Sequence, residues 1–116
     1  MTTAAKSEYL TEERCYITEL YNSDDDPAVS VAHARVEPGT TTKRHRLIGT
    51  EERYVILQGA GSMSVGQSAA RSVGVGDTVN IPAGAEQNIS NTGSTDLVVL
   101  CICTPRFEWA RYESLE

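Results

Sequence analysis

No stretch of the chain approaches the ~20 consecutive apolar residues of a membrane span. The first ten residues, Met1 to Leu10, carry no apolar signal core. The reading is a cytoplasmic protein with no membrane partner. An excess of basic residues is also missing: 10 Lys and Arg stand against 16 Asp and Glu, for a net charge of −6. Such a surface has no reason to seek phosphate backbones or anionic lipid. The one basic cluster, Lys43-Arg44 with Arg46, is too short for a nucleic-acid patch, so nucleic acid is excluded as a partner. Cysteine is scarce and odd in number. Cys15, Cys101 and Cys103 lack zinc-finger spacing and build no disulfide framework, so they read as free thiols in a reducing compartment. No pattern repeats at a fixed period, and no segment is low-complexity.

Long helical periodicity is absent from the middle of the chain as well. Short apolar runs recur instead, punctuated by Gly, Pro, Asn and Asp, which is the pattern of an all-β sandwich or barrel. Strands are expected near 15–20, 29–36, 42–47, 52–57, 61–65, 70–73, 78–81, 87–91 and 97–103. Pro38-Gly39 suits a type II turn, in which Pro presets φ and Gly accepts positive φ. Turns at 74–77 and Pro82-Ala83-Gly84 bracket a short strand. At 116 residues one domain is expected, able to bury about two-thirds of its unfolded surface. Residues 1–12 read as an N-terminal arm, 13–105 as the barrel and 106–116 as a C-terminal tail. The tail holds Phe107, Trp109, Tyr112 and Leu115, and is expected as a short helix or an arm packing on the barrel or on a partner.

Two segments have an ordered spacing. Gly39 is followed by five residues and His45; Leu47 comes next but one, Glu52 after four more residues, and Gly59 after six. Gly76 is followed by five residues and Pro82-Ala83-Gly84, then two residues and Gln87, then three and Asn91. Together these resemble the paired motifs of the cupin superfamily, over about residues 28 to 105. The resemblance implies an antiparallel double-stranded β-helix, a jelly-roll barrel with a short C-terminal tail. In metal-binding cupins two His and the Glu of the first motif, with the His of the second, hold one divalent ion. This chain keeps His45 and Glu52 but has Leu47 and Gln87 at the other two positions. Carried over residue by residue, the resemblance makes His45 an imidazole ligand, Glu52 a carboxylate ligand and Gln87 an amide-oxygen ligand. Leu47 cannot bind metal.

Strand geometry puts residues i and i+2 on one face. His45 then shares a face with Leu47; Glu52 with Tyr54 and Ile56; Gln87 with Ile89 and Asn91. If those faces line the interior, His, Glu and Gln form a polar knot in an apolar sleeve, suited to a small molecule. A mixed N/O site with open positions accepts Fe, Mn, Ni or Zn. Each candidate also has a plainer reading. Glu52 could be a buried carboxylate paired with His45 without metal, and Gln87 could satisfy its amide on Tyr54, Glu52 or backbone. His33 could supply the missing imidazole, or face solvent beside Arg35. Cys101 and Cys103 could be soft ligands or small core residues; both faces of their strand are apolar, so the inward face is open. Glu52 and Tyr54 are the candidate catalytic residues, as base and as acid or hydrogen-bond donor.

Two functions follow. One is a metal-dependent enzyme acting on a small organic molecule, of the dioxygenase, isomerase or cyclase type that the resemblance implies. The alternative is a metal-free binder or sensor of a small molecule, motivated by the two missing ligands. The resemblance also implies a homodimer.

Overall fold

The computed structural model describes residues 7–116. Of the expected N-terminal arm, residues 1–6 lie outside the described residues. Eleven strands follow: β1 (Glu8–Leu10), β2 (Tyr16–Ser23), β3 (Asp26–Val36), β4 (His45–Leu47), β5 (Glu51–Gln58), β6 (Ala60–Val65), β7 (Arg71–Gly74), β8 (Thr78–Ile81), β9 (Gln87–Asn91), β10 (Leu97–Thr104) and β11 (Tyr112–Ser114). They form two antiparallel sheets, ordered β1-β2-β3-β10-β5-β8 and β11-β4-β9-β6-β7. The inner faces share one core, which joins Val36, Ile56, Val79 and Leu97 of the first sheet to Met63, Val73 and Ile89 of the second. This is the jelly-roll arrangement that the resemblance implies.

Alternation sets which side chains enter. Along β10, Leu97, Val99, Cys101 and Cys103 are buried while Val98, Leu100 and Ile102 are half-buried. The structure thereby resolves the face left open by composition: both cysteines look inward. Glu52, Tyr54 and Ile56 of β5, and Gln87, Ile89 and Asn91 of β9, are buried by the same alternation. The strand expected over 42–47 is shorter: the isolated rung ahead of β4 is Thr41 with Ser90, and β9 holds the next residue, Thr42. Its N–H donates to the Ile89 carbonyl at 2.8 Å, and its Oγ1 accepts from the Ile89 N–H at 2.9 Å.

Two elements escape the sequence pattern. β1 is exposed throughout and shows no alternation, yet it pairs with β2. β11 follows a single 3-10 turn at Trp109–Arg111 and pairs with β4, so the tail packs on the barrel.

The motif glycines have local causes. Gly59 has φ +86, and a Cβ there would meet the Asp96 carbonyl oxygen at 2.7 Å and the Leu97 Cα at 3.1 Å. Asn91 ties the same corner, donating from Nδ2 to the Val36 and Thr95 carbonyls at 2.8 Å each. Gly59→Ala is therefore expected to destabilise the fold by about 2–3 kcal/mol. Urea denaturation checks this; an unchanged midpoint would show that the corner yields freely.

Candidate functional site

The site is assembled by pairing. His45 on β4 stands opposite Gln87 on β9. In the other sheet, Glu52 and Tyr54 on β5 stand opposite Cys103 and Cys101 on β10. All of these except Gln87 line one interior cavity, whose apolar wall includes Ile17, Ala34, Val36, Leu47, Ile89 and Val99. Gln87 lies beneath it, bonded to two of the lining residues. His33 does not line the cavity; it sits half-buried on β3, on the face opposite the buried Ala34.

A hydrogen-bonded relay crosses the cavity floor. The Tyr54 hydroxyl donates to Gln87 Oε1 at 3.0 Å, and Gln87 Nε2 donates to Glu52 Oε1 at 3.0 Å. The Cys103 thiol donates to Glu52 Oε2 at 3.5 Å. His45 Nδ1 lies 2.8 Å from the Lys43 carbonyl. A carbonyl only accepts, so Nδ1 carries the hydrogen and Nε2 keeps a lone pair. Tyr112 of β11 stacks on the imidazole, with ring centroids 5.0 Å apart and planes at 24°. The ring is thus held on one edge and one face.

Sequence reasoning missed Glu13 as a site residue and gave Cys15 no place in the site. Both line the cavity, and Glu13 Oε1 approaches His45 Nε2 at 3.7 Å. The Cys15 thiol donates to Glu13 Oε2 at 3.6 Å. A turn with Arg14 at φ +69 feeds this segment into β2, and Lys43 N–H fastens it through the Glu13 carbonyl at 3.0 Å. The available signal was period two: Glu13, Cys15, Ile17 and Glu19 all line the cavity. Counting residues up to 12 as an arm placed the start of that stripe at the edge of the pattern.

Burial dominates the electrostatics. It raises the Glu52 carboxyl to about 7, against the lowering effect of the Gln87 hydrogen bond and the nearby His45. It raises Glu13 to about 7 as well. It lowers His45, opposed by the Lys43 hydrogen bond and by Glu52. Burial also pushes the Cys15 thiol up to about 12, and Cys101 and Cys103 upward. The three thiols therefore stay protonated near neutral pH and are poor nucleophiles. The two carboxyls and the imidazole are the groups able to exchange protons there.

The donor set does not fit a resident divalent ion. Leu47, buried and apolar, fills one ligand corner. The Gln87 amide is engaged at both ends and turns its N–H toward the very carboxylate that would share the ion. Both Glu52 oxygens already accept hydrogen bonds. Among the described residues, no group of three or more His, Cys, Asp or Glu is arranged to hold a metal.

Comparison with known proteins agrees with the fold. An uncharacterized protein of Methanocaldococcus jannaschii, MJ1618, is 34% identical over 110 residues, covering 93% of this chain and 87% of that one. The capsular polysaccharide assembling protein CapF of Staphylococcus aureus superposes with a TM-score of 0.80 at 21% identity. The match takes in 98% of this chain but only 35% of CapF, so the chain spans about a third of that protein. Pac13 of Streptomyces, described as a nucleoside dehydratase, superposes with a TM-score of 0.79 at 15% identity, over 99% of this chain and 92% of that one. Residues 32–103 match the family model Cupin_2, the cupin domain. With that match and the jelly-roll fold, the chain belongs to the cupin family.

Proposed function

We propose that the barrel binds a small organic molecule and moves protons on it without a resident metal, His45 and Glu52 being the acid–base pair. One observation carries this reading. His45 Nε2, with its lone pair free, and the Glu52 carboxyl enter the same cavity from opposite sheets. A molecule seated between them meets a base on one side and a carboxyl that is partly protonated near neutral pH on the other. That is the requirement for an isomerisation or a dehydration: one group removes a proton while the other supplies one. Tyr54 and Gln87 position Glu52 through their hydrogen bonds. The apolar walls exclude water and strengthen each charge interaction. Pac13, alike in fold and size, is a dehydratase by its description, which supports a reaction of this class here.

The test is a small-molecule screen by thermal shift, on protein purified without an affinity metal column, with metal content measured by mass spectrometry. Expected are ligands that raise the melting temperature of the native chain and lose that effect in His45→Ala, together with metal far below stoichiometric. Near-stoichiometric Fe, Mn, Ni or Zn that is lost in His45→Ala would replace this reading with the metalloenzyme one.

A further inference from the structure

The cavity walls contain no lysine or arginine among the described residues. They contain three carboxyls: Glu13, Glu19 and Glu52. Several arginines are engaged away from the cavity in ion pairs, among them Arg35 with Glu8 and Asp96, Arg46 with Glu113, and Arg14 with Glu116. An anion entering this cavity would leave water for a site with no counter-charge, and would do so beside carboxyls.

The site also holds unused acceptors. His45 is 3% exposed, and its Nε2 has no hydrogen bond among the described residues; Glu13 Oε1, at 3.7 Å, is too far away. That nitrogen is a buried acceptor aimed into the cavity. Glu13 Oε1, on a half-buried side chain lining the same cavity, also accepts no hydrogen bond among the described residues. A neutral imidazole nitrogen and a carboxylate both ask for a donor, and an ammonium group is all donor, with three N–H and no lone pair. The opening adds an apolar, electron-rich rim. Phe107 and Trp109 meet edge to face with centroids 4.9 Å apart, and Tyr9 lines the same opening. Aromatic faces beside carboxylates are the setting in which organic cations are held.

We propose that the ligand of this pocket is a small organic cation, a protonated amine whose charge is met by the carboxyls of the stripe that lines the cavity, Glu13 beside His45 foremost, under the aromatic rim. The inference rests on the reading of the cavity as the functional pocket. It also divides the labour. Glu13 meets the charge beside His45, and Glu19, six residues along the same cavity-lining stripe, adds to the negative field of the pocket. Glu52, hydrogen-bonded by Gln87 and Cys103 on the β5–β10 wall, keeps the proton-exchanging role.

The chain's single tryptophan, Trp109, stands at the opening and reports occupancy by its fluorescence. The probes are phenethylamine, 2-phenylethanol and phenylacetate, which share one ring and differ in charge. Phenethylamine is expected to bind roughly tenfold or more tighter than the alcohol, with phenylacetate weakest. Glu13→Gln combined with Glu19→Gln is expected to remove most of that amine preference, weakening the amine far more than the alcohol. Phenylacetate binding as tightly as the amine would overturn the inference. So would an amine no tighter than the alcohol, but binding that His45→Ala abolishes would leave the pocket reading standing. Failure of all three probes at millimolar concentration would sink both.

Discussion

At pH 8, Glu52→Gln is expected to unfold at a higher temperature than the native chain, and at pH 5 the two are expected to melt nearly together. The folded protein raises this carboxyl from 4.5 to about 7, burial being the largest cause. A carboxyl raised in the folded state contributes stability fully below its unfolded value and loses it as pH climbs through the folded one. The window is therefore about 4.5 to 7, and the loss across it is roughly 3 kcal/mol. Glutamine keeps an acceptor for Gln87 Nε2 and has no charge to bury, so the variant escapes the loss. For a domain of this length the gain corresponds to roughly 10 °C. His45 acts in the opposite sense. Its lowered value contributes stability above the unfolded value near 6.5 and loses it as pH falls. Comparison of the two proteins at each pH cancels most of that term. Calorimetry between pH 5 and 8 decides the matter. A variant that melts below the native chain at pH 8 would mean that Glu52 is compensated in the fold. If Glu52 and His45 are the proposed acid–base pair, the same variant is also expected to lose ligand turnover.

The fold was legible because turns and alternation carry it. Gly59 cannot hold a side chain against Asp96, and Asn91 closes the same corner, so both appear at fixed spacing in the sequence. The pairs Glu52/Tyr54 and Gln87/Ile89 share faces by period two alone, and their convergence on one interior region follows once both faces point inward. Three things were not legible, each for a physical reason. The inward face of β10 was open because Val98, Leu100 and Ile102 are as apolar as Leu97 and Val99, and only the half-buried outer layer separates them. Glu13 heads a period-two stripe with Cys15, Ile17 and Glu19, but its approach to His45 depends on the turn at Arg14, which that pattern does not show. The Gln87 amide could be read as a metal ligand or as a hydrogen-bonding bridge, and residue identity does not distinguish them. In the structure it bridges Tyr54 and Glu52. The tail aromatics were expected chiefly as packing; they pack, and Phe107 and Trp109 also form the cavity opening.

That distinction can be made by building the missing ligands. Leu47 shares a strand face with His45 and lines the same cavity; Gln87 stands directly opposite His45. Leu47→His with Gln87→His therefore sets three imidazoles around the Glu52 carboxylate. It also removes the amide that holds both Tyr54 and one Glu52 oxygen. Neutral imidazole and carboxylate together suit Zn and Ni. Losing even a supporting partner of a ligand costs about 10–100-fold in affinity. Supplying two ligands outright is thus expected to tighten Zn or Ni binding by at least ~100-fold, with near-stoichiometric metal after dialysis. Each single variant is expected to gain less, since either leaves one corner unfilled. Binding should weaken below about pH 6, where protons compete for the imidazoles and the carboxylate. Titration calorimetry with mass-spectrometric metal content measures all of this. A folded double variant that binds no better than the native chain would mean that the two strands do not converge as metal-site geometry requires. A native chain that binds as tightly as the double variant would remove the ground for a metal-independent site, because Leu47 and Gln87 would then make no difference.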